Sequence, residues 1–372
     1  MKCMIIAVLA AVFMAGCYNT HDRPVPVLTT FEITDQARGL DTATNGENIA
    51  AVWMIAPEEG RWNMFAVFNS YGQIQEGPYR LLTHEDDRLF SRYPRVFWSN
   101  GNWLLLWSQD QADHRTVFMK THSPGDEWRL DDAVLLLDQE SMMQTSFMDV
   151  NGDEILISWR DSRDETTPQS YAAFFDSNGE RLTDDLRLGH DELPSDESRA
   201  VKIGDTYYFT VSVVPSDLES QLFLRSFNVV SGEFTDLGEI ISTPAARLLR
   251  TWEEDGIICL IYQSYNEEGG SETREIRFSL SGEIVREPNG FGHDPSHTRA
   301  VSVHPGIPDA IFQWVDDSSD EQSIIMEQGP VTHSVLPWDS PITSTSIEVL
   351  PTRLVGLWTD QDAQLNFFSM PY

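Results

Sequence analysis

Seven copies of one strand-rich unit, a near-constant spacing between them, and a strand missing at one end but spare at the other predict an all-β fold. That fold is a seven-bladed β-propeller of four-stranded antiparallel blades, the last closed by an N-terminal strand. In each copy a short apolar run ends in an aromatic or branched residue, an acidic turn follows, and a further strand-like run leads to a turn, usually with Gly. The run-ending residues are Trp53, Trp107, Trp159, Val211, Tyr262, Trp314 and Trp358, at spacings of 54, 52, 52, 51, 52 and 44. A fixed period of this length means one supersecondary unit repeated in space.

The third copy shows the unit most clearly. Ser146–Val150 reads as a first strand, Asn151-Gly152-Asp153 as a turn and Glu154–Trp159 as a second strand. Arg160–Gln169 is an acidic loop, Ser170–Asp176 a third strand, Ser177-Asn178-Gly179-Glu180 a tight turn and Arg181–Leu188 a fourth strand. Alternating apolar residues and β-branched or aromatic enrichment mark the strands. Asn-Gly suits the hairpin turns because both residues tolerate positive φ. Four strands in about 50 residues is a propeller blade. A pair of β-sandwiches has no reason to repeat at fixed spacing; six or eight blades are the alternatives in number. The seventh copy offers only Ser346–Leu350, Leu354–Trp358 and Gln364–Met370, whereas Val27–Ile33 precedes the first copy without belonging to it. Pairing the spare strand with the short copy closes the ring and removes a free edge. Residues 27–372 are thus expected to be a single domain.

The N-terminus carries a different signal. Lys2 is followed by Met4–Ala15, continuously apolar or small. At about a dozen residues this is too short for a bilayer span, which needs about 20, and it has the layout of a secretory signal. Met14-Ala15-Gly16-Cys17 resembles the lipobox of bacterial lipoproteins, with Met14 where Leu is usual. The resemblance implies that residues 1–16 are removed, that Cys17 becomes the acylated N-terminus, and that residues 17–26 form a tether. Several acyl chains make a stable membrane anchor. Tyr18, rather than Asp, after the cysteine favours the outer membrane by the same resemblance. An ordinary signal peptide with a chance cysteine is the alternative. Of the other cysteines, Cys3 lies in the signal and Cys259 in the apolar run Ile257–Ile261, so Cys259 reads as a small buried hydrophobe and no internal disulfide is expected.

The chain has 372 residues and a formal charge of −34, and beyond Lys2 its only lysines are Lys120 and Lys202. So acidic a surface repels nucleic-acid phosphates and argues against DNA or RNA as a partner. It also resists adsorption to anionic lipid, which leaves the acyl anchor as the membrane contact.

Two constellations stand out as candidate sites. The loops after the second strands are acidic in every copy, and Asp110, Asp161, Asp164, Asp316, Asp317 and Asp360 are the candidate acidic face, either solvated loops or a docking surface for a cationic partner. Arginines recur near the start of the innermost strands: Arg38, Arg95, Arg199, Arg247 and Arg299. These mark one mouth of the channel, where each either ties blades together through an acidic partner or clamps an anion bidentately. No catalytic residue, metal site or cofactor is nominated. There is no Gly-x-Ser-x-Gly, His-Glu-x-x-His or phosphate loop, and no Ser-x-Asp-x-Gly-x-Thr-Trp box of the sialidase type. Asp149-Val150-Asn151-Gly152-Asp153 and Asp176-Ser177-Asn178-Gly179 fall short of a calcium loop's ligand count, calcium being the one metal kept in view. Trp-x-Asp turns such as Trp159-Arg160-Asp161 loosely resemble repeats of bacterial surface propellers of unassigned function. The missing motifs turn the reading away from an enzyme and toward a lipid-anchored binding or scaffolding module for a protein or glycan. A carbohydrate-active hydrolase or lyase is the alternative.

Replacing Cys17 by Ser should abolish acylation and leave an unprocessed or soluble form. Cell fractionation with mass spectrometry of the N-terminus checks this; a Cys17→Ser protein still cut before residue 17 and retained in membranes overturns the lipobox reading.

Overall fold

The computed structural model describes residues 27–371 apart from 33–36, 56–61, 82–90, 111–114, 131, 140–141, 164–166, 191, 217–218, 266–269, 293, 305–309, 319–321, 329–330 and 362–363. The signal, Cys17 and the tether lie outside the described residues, as does Asp164.

The described strands form seven four-stranded antiparallel sheets. The innermost strands are Ala37–Thr44, Ser91–Ser99, Met142–Asn151, Ser195–Ile203, Ala246–Glu254, Thr298–His304 and Ile342–Leu350, which open blades 1 to 7 in that order. Each innermost strand neighbours the next, and that of blade 7 neighbours that of blade 1, so the ring is complete. The three-strand seventh copy is completed as its sequence predicts. Val27–Glu32 pairs antiparallel with Gln364–Pro371, from Val27 opposite Ser369 to Glu32 opposite Gln364.

The second strand of each blade shows why this sequence stacks sheets. In blade 2, Asn102–Asp110 is buried at every position but its ends. Alternate side chains leave a strand on opposite faces. Here Trp103, Leu105 and Trp107 pack with blade 1 around Val52 and Phe65, whereas Leu104 and Leu106 pack with blade 3 around Ile155 and Trp159. A strand covered on both faces must be apolar throughout, which is why these runs show little alternation. The core is accordingly divided among the interfaces between neighbouring blades, one cluster to each, including blade 7 against blade 1 through Leu357 and Phe367.

Blade 3 departs from expectation in its fourth strand. Only Leu186–Arg187 pairs as a strand, with an isolated bridge from Phe175 to Arg181 before it. Between them the Thr183 hydroxyl accepts the Phe174 amide at 3.1 Å, and Asp185 holds both Arg163 and Arg181. Side chains there take over donors that a ladder would otherwise satisfy.

Deleting residues 24–34 should strip the outer edge of blade 7 and leave the Gln364–Pro371 edge unpaired. At about 1 kcal/mol per lost backbone hydrogen bond, several kcal/mol are at stake. Thermal melting checks this, with a fall of many degrees expected; a deletion protein that melts with the intact chain overturns the closure.

Candidate functional site

The innermost strands are irregular at corresponding places. Each shows a register shift near its start: between Arg38 and Asp41, Arg92 and Arg95, Thr145 and Phe147, Ser195 and Ser198, Leu248 and Arg250, Arg299 and Ser302, and Ile342 and Ser344. A bulge adds residues to one strand, bends it and re-aims its side chains. At three of them the backbone turns left-handed, at Gly39 (φ 62), Tyr93 (φ 50) and Ala300 (φ 49). Only Gly takes that conformation without strain. The bends open the mouth of the channel on the face where the innermost strands begin, leaving a cavity of about 640 Å³. A second chamber of about 430 Å³ continues toward the opposite face.

Register sorts the lining into tiers. In every blade one innermost residue lies opposite the residue just before the run-ending one. These are Asp41, Arg95, Phe147, Arg199, Arg250, Ser302 and Ser346, and they ring the channel at its waist. Above the bulges a second tier faces the residue just after the run-ending one; Arg38, Arg92, Arg247 and Arg299 belong there. The five arginines read from the sequence therefore occupy two levels. Arg95 and Arg199 are in the waist; Arg38, whose side chain is outside the described set, Arg247 and Arg299 are at the mouth. Arg250 was missed. The signal that finds it is a spacing of three across the bulge: Arg38-x-x-Asp41, Arg92-x-x-Arg95, Arg247-x-x-Arg250 and Arg299-x-x-Ser302.

Arg95 pairs at 2.8 Å with Asp41 of the preceding blade's innermost strand, whose other oxygen accepts the Val96 amide at 3.0 Å. Arg199 donates to the carbonyls of Ser198 and Leu249, at 2.8 and 3.4 Å, and lies 3.9 Å from Glu197. Glu197 also stands 3.8 Å from Arg247 and accepts the Leu248 amide at 2.9 Å. Arg299 donates to the Ser296 and Thr298 carbonyls and faces Asp317 at 3.7 Å. Arg250 donates to the Leu249 carbonyl at 3.1 Å and reaches no carboxylate within ion-pair distance among the described residues. Burial, with repulsion from Arg95, pushes its guanidinium down to about 10. The 640 Å³ cavity thus carries five arginines against the carboxylates of Asp41, Glu197 and Asp317, in a chain of charge −34. Amides and hydroxyls complete its wall: Gln144, Gln263, Gln322, Gln361, Ser344 and Thr345.

The lower chamber holds acids of another kind. Burial pushes Glu348 up to about 8, against the Thr42 hydroxyl that donates to it at 2.7 Å, and Asp41 adds to the rise. Burial likewise raises Asp149 to about 6, partly offset by the Val150 amide.

The acidic loops are mostly engaged within the fold. Asp161 and Asp360 are buried. Asp161 accepts the Trp159 indole at 3.1 Å and the Arg163 amide at 2.8 Å; Asp360 accepts the Trp338 indole at 3.1 Å, the Gln364 amide at 3.1 Å and the Asn366 side chain at 2.9 Å. The Trp-x-Asp carboxylate thus ties the loop back onto the blade and offers no docking surface at these two positions. Asp110 holds Arg92 and Arg115, Asp316 accepts the Ser318 amide, and Asp317 belongs to the channel mouth. Of the calcium candidates, Asp176 accepts the Asn178 and Glu180 amides across a hairpin, and Asp149 faces the lower chamber. No group of three metal-ligating side chains occurs among the described residues.

No protein-family model matches the sequence, and no curated protein does. Solved structures match in fold. Polysaccharide lyase Uly1 superposes with a TM-score of 0.58 at 7% identity, over 90% of each chain. The β-propeller domain of the Trilobed protease from Pyrococcus furiosus gives 0.54 at 12% identity, over 90% of this chain and 96% of that one. Acylaminoacyl peptidase from Pyrococcus horikoshii gives 0.52 at 12%, over 90% of this chain and 52% of that one. The chain is a seven-bladed β-propeller. The expectation that turned away from an enzyme is corrected here: polysaccharide lyase Uly1 shares the fold over 90% of each chain, so the missing motifs are no ground for excluding catalysis.

The lower chamber sets a pH dependence. Glu348 and Asp149 have raised folded-state values, so their contribution to stability is complete below the ordinary carboxylate range. It falls away as pH rises through about 6 for Asp149 and about 8 for Glu348. The Glu348 step is on the order of a few kcal/mol. Melting temperature against pH should fall in two stages, and Glu348→Gln, which keeps an acceptor for Thr42, should remove the upper one. An unchanged upper stage in that variant overturns the assignment.

Proposed function

We propose that this chain is a carbohydrate-active propeller, a hydrolase or lyase that takes a glycan at the upper mouth of its channel, held at the outer membrane through acylated Cys17. The observation that carries the reading is the 640 Å³ cavity at the channel mouth. A scaffold that works through a flat face has no need of it, whereas ligand sites are concave, with a few polar groups aimed inward. Its wall suits a sugar: side-chain amides and hydroxyls for ring hydroxyls, and the exposed ring of Tyr93 at the rim for a pyranose face. The likeness of fold to polysaccharide lyase Uly1 agrees with this reading.

Tyr93 adds a second line of support. A tyrosine in the left-handed region is strained by roughly 1–2 kcal/mol, and such strain gathers at functional sites. The bulge holds its ring where the cavity opens.

The test is depolymerisation. The purified protein, incubated with a panel of neutral and acidic polysaccharides, should shorten at least one of them, read by product size and new chain ends. Tyr93→Gly should cut that activity at least about tenfold while melting no lower than the parent, because it relieves the strain. Full activity in Tyr93→Gly moves the site away from the mouth; no shortening of any polymer overturns the proposal.

A further inference from the structure

We propose that the glycan taken at this mouth is an acidic one, bound through its carboxylate or sulfate groups by the waist arginines Arg250 and Arg199. The inference rests on the glycan reading above and adds the substrate class.

The argument starts from charge balance along the channel. Of the waist positions only Asp41 is acidic, and it is committed to Arg95 at 2.8 Å and to the Val96 amide. The next carboxylate up, Glu197, is shared between Arg199 and Arg247 at 3.9 and 3.8 Å, both longer than a hydrogen bond, while its Oε2 takes the Leu248 amide at 2.9 Å. Asp317 stands 3.7 Å from Arg299. Among the described residues no carboxylate lies within ion-pair distance of Arg250. A guanidinium has five N–H donors, and at Arg250 one of them meets the Leu249 carbonyl. Arg95, Arg199 and Arg247 repel it, and the one compensating attraction comes from Asp41, which is beyond ion-pair distance and already paired with Arg95. A half-buried cation in a field of cations is costly unless something anionic arrives. The lower chamber offers little relief at neutral pH, because burial holds Glu348 in its protonated form up to about pH 8.

Oxyanion chemistry fits this arrangement. Guanidinium forks match carboxylate and sulfate oxygens with paired, charge-assisted hydrogen bonds. The mouth's surroundings sharpen the choice. A chain of charge −34 repels polyanions at a distance, but salt screens exposed charges beyond about 8 Å at physiological ionic strength. Arg199 and Arg250 are partly buried in the mouth, so an anion in hydrogen-bond contact with them is screened less than a distant charge, while added salt still competes for the site. The mouth gathers five arginines against three carboxylates, so there the local sign reverses that of the chain as a whole.

The experiment is titration calorimetry on the full chain with four probes: an oligogalacturonate, a sulfated glucan oligomer of similar length, the neutral glucan oligomer, and inorganic sulfate. One or both acidic oligomers should bind at least about tenfold tighter than the neutral one, and their affinity should fall with added salt while any neutral binding does not. Arg250→Gln should lower acidic-oligomer affinity by about 10–100-fold, with Arg250→Lys between the two. The better of the two acidic probes distinguishes carboxylate from sulfate. Equal binding of neutral and acidic oligomers upholds the glycan reading and overturns this inference. Binding of inorganic sulfate without binding of any oligomer upholds the anion site and overturns the glycan reading. Salt-independent binding, or an unchanged affinity in a folded Arg250→Gln protein, overturns the role of the waist; the salt series needs no variant, so it decides even where the variant does not fold.

Discussion

Face-to-face packing of neighbouring sheets is the constraint on which the rest of this structure depends. No blade has a core of its own; Trp107 faces one neighbour and Leu106 the other. At about 1.5–3 kcal/mol for each large side chain fully buried, an isolated blade has far too little stabilisation to stand alone, and the ring is stable only when closed. Closure then leaves a channel bordered by strand edges, where side chains are free of packing duties. Between blades each of the arginines and acids collected there would need a paired charge, as buried Lys120 has in Asp132. The division of labour between packed faces and polar axis is therefore a product of the architecture.

Much of the fold was legible in the chain itself. The period of the run-ending aromatics gave the blade number, and the spare strand before residue 37 gave the closure, because both follow from local alternation and simple counting. The site was legible only in part. Arg95 and Arg199 stand at the waist, yet Arg247 and Arg299 do not share their level, and Arg250 went unnoticed. The reason is the bulge. An added residue shifts every side chain after it by one place in a two-residue period, so counting from the strand start mixes tiers. The acidic loops misled in a different way. Composition marks Asp161 and Asp360 as charged loop residues, but each folds under the loop to accept indole and amide donors, Asp161 from the Trp two positions before it and Asp360 from Trp338. For Asp161 the adjacent Trp159 was the available sign of an internal role; for Asp360, held by Trp338 from the preceding blade, no local sign existed.

The chemistry also refines what a missing motif means. Motifs for hydrolases of other folds describe a nucleophile on a turn or a metal on a helix. A channel built from seven equivalent strand edges assembles its groups one per blade, from positions about 50 residues apart. A local pattern can mark single members of such a site, as the spacing of three across the bulge does, but not the whole set, because its members are neighbours only after the ring has closed.

The closing strand also fixes direction. Val27 pairs with Ser369 near the end of the last strand, and Glu32 pairs with Gln364 at its start. The chain thus enters the domain at the lower face and climbs the outer edge of blade 7 toward the face with the arginine mouth. Nine residues separate Cys17 from Val27, a reach of about 30 Å when extended. Were Cys17 acylated, the anchor would join the domain at the face opposite the mouth, leaving the mouth clear of the point of attachment. A lipid at one end of the chain would in this way lie on the far side from a cavity formed by all seven blades.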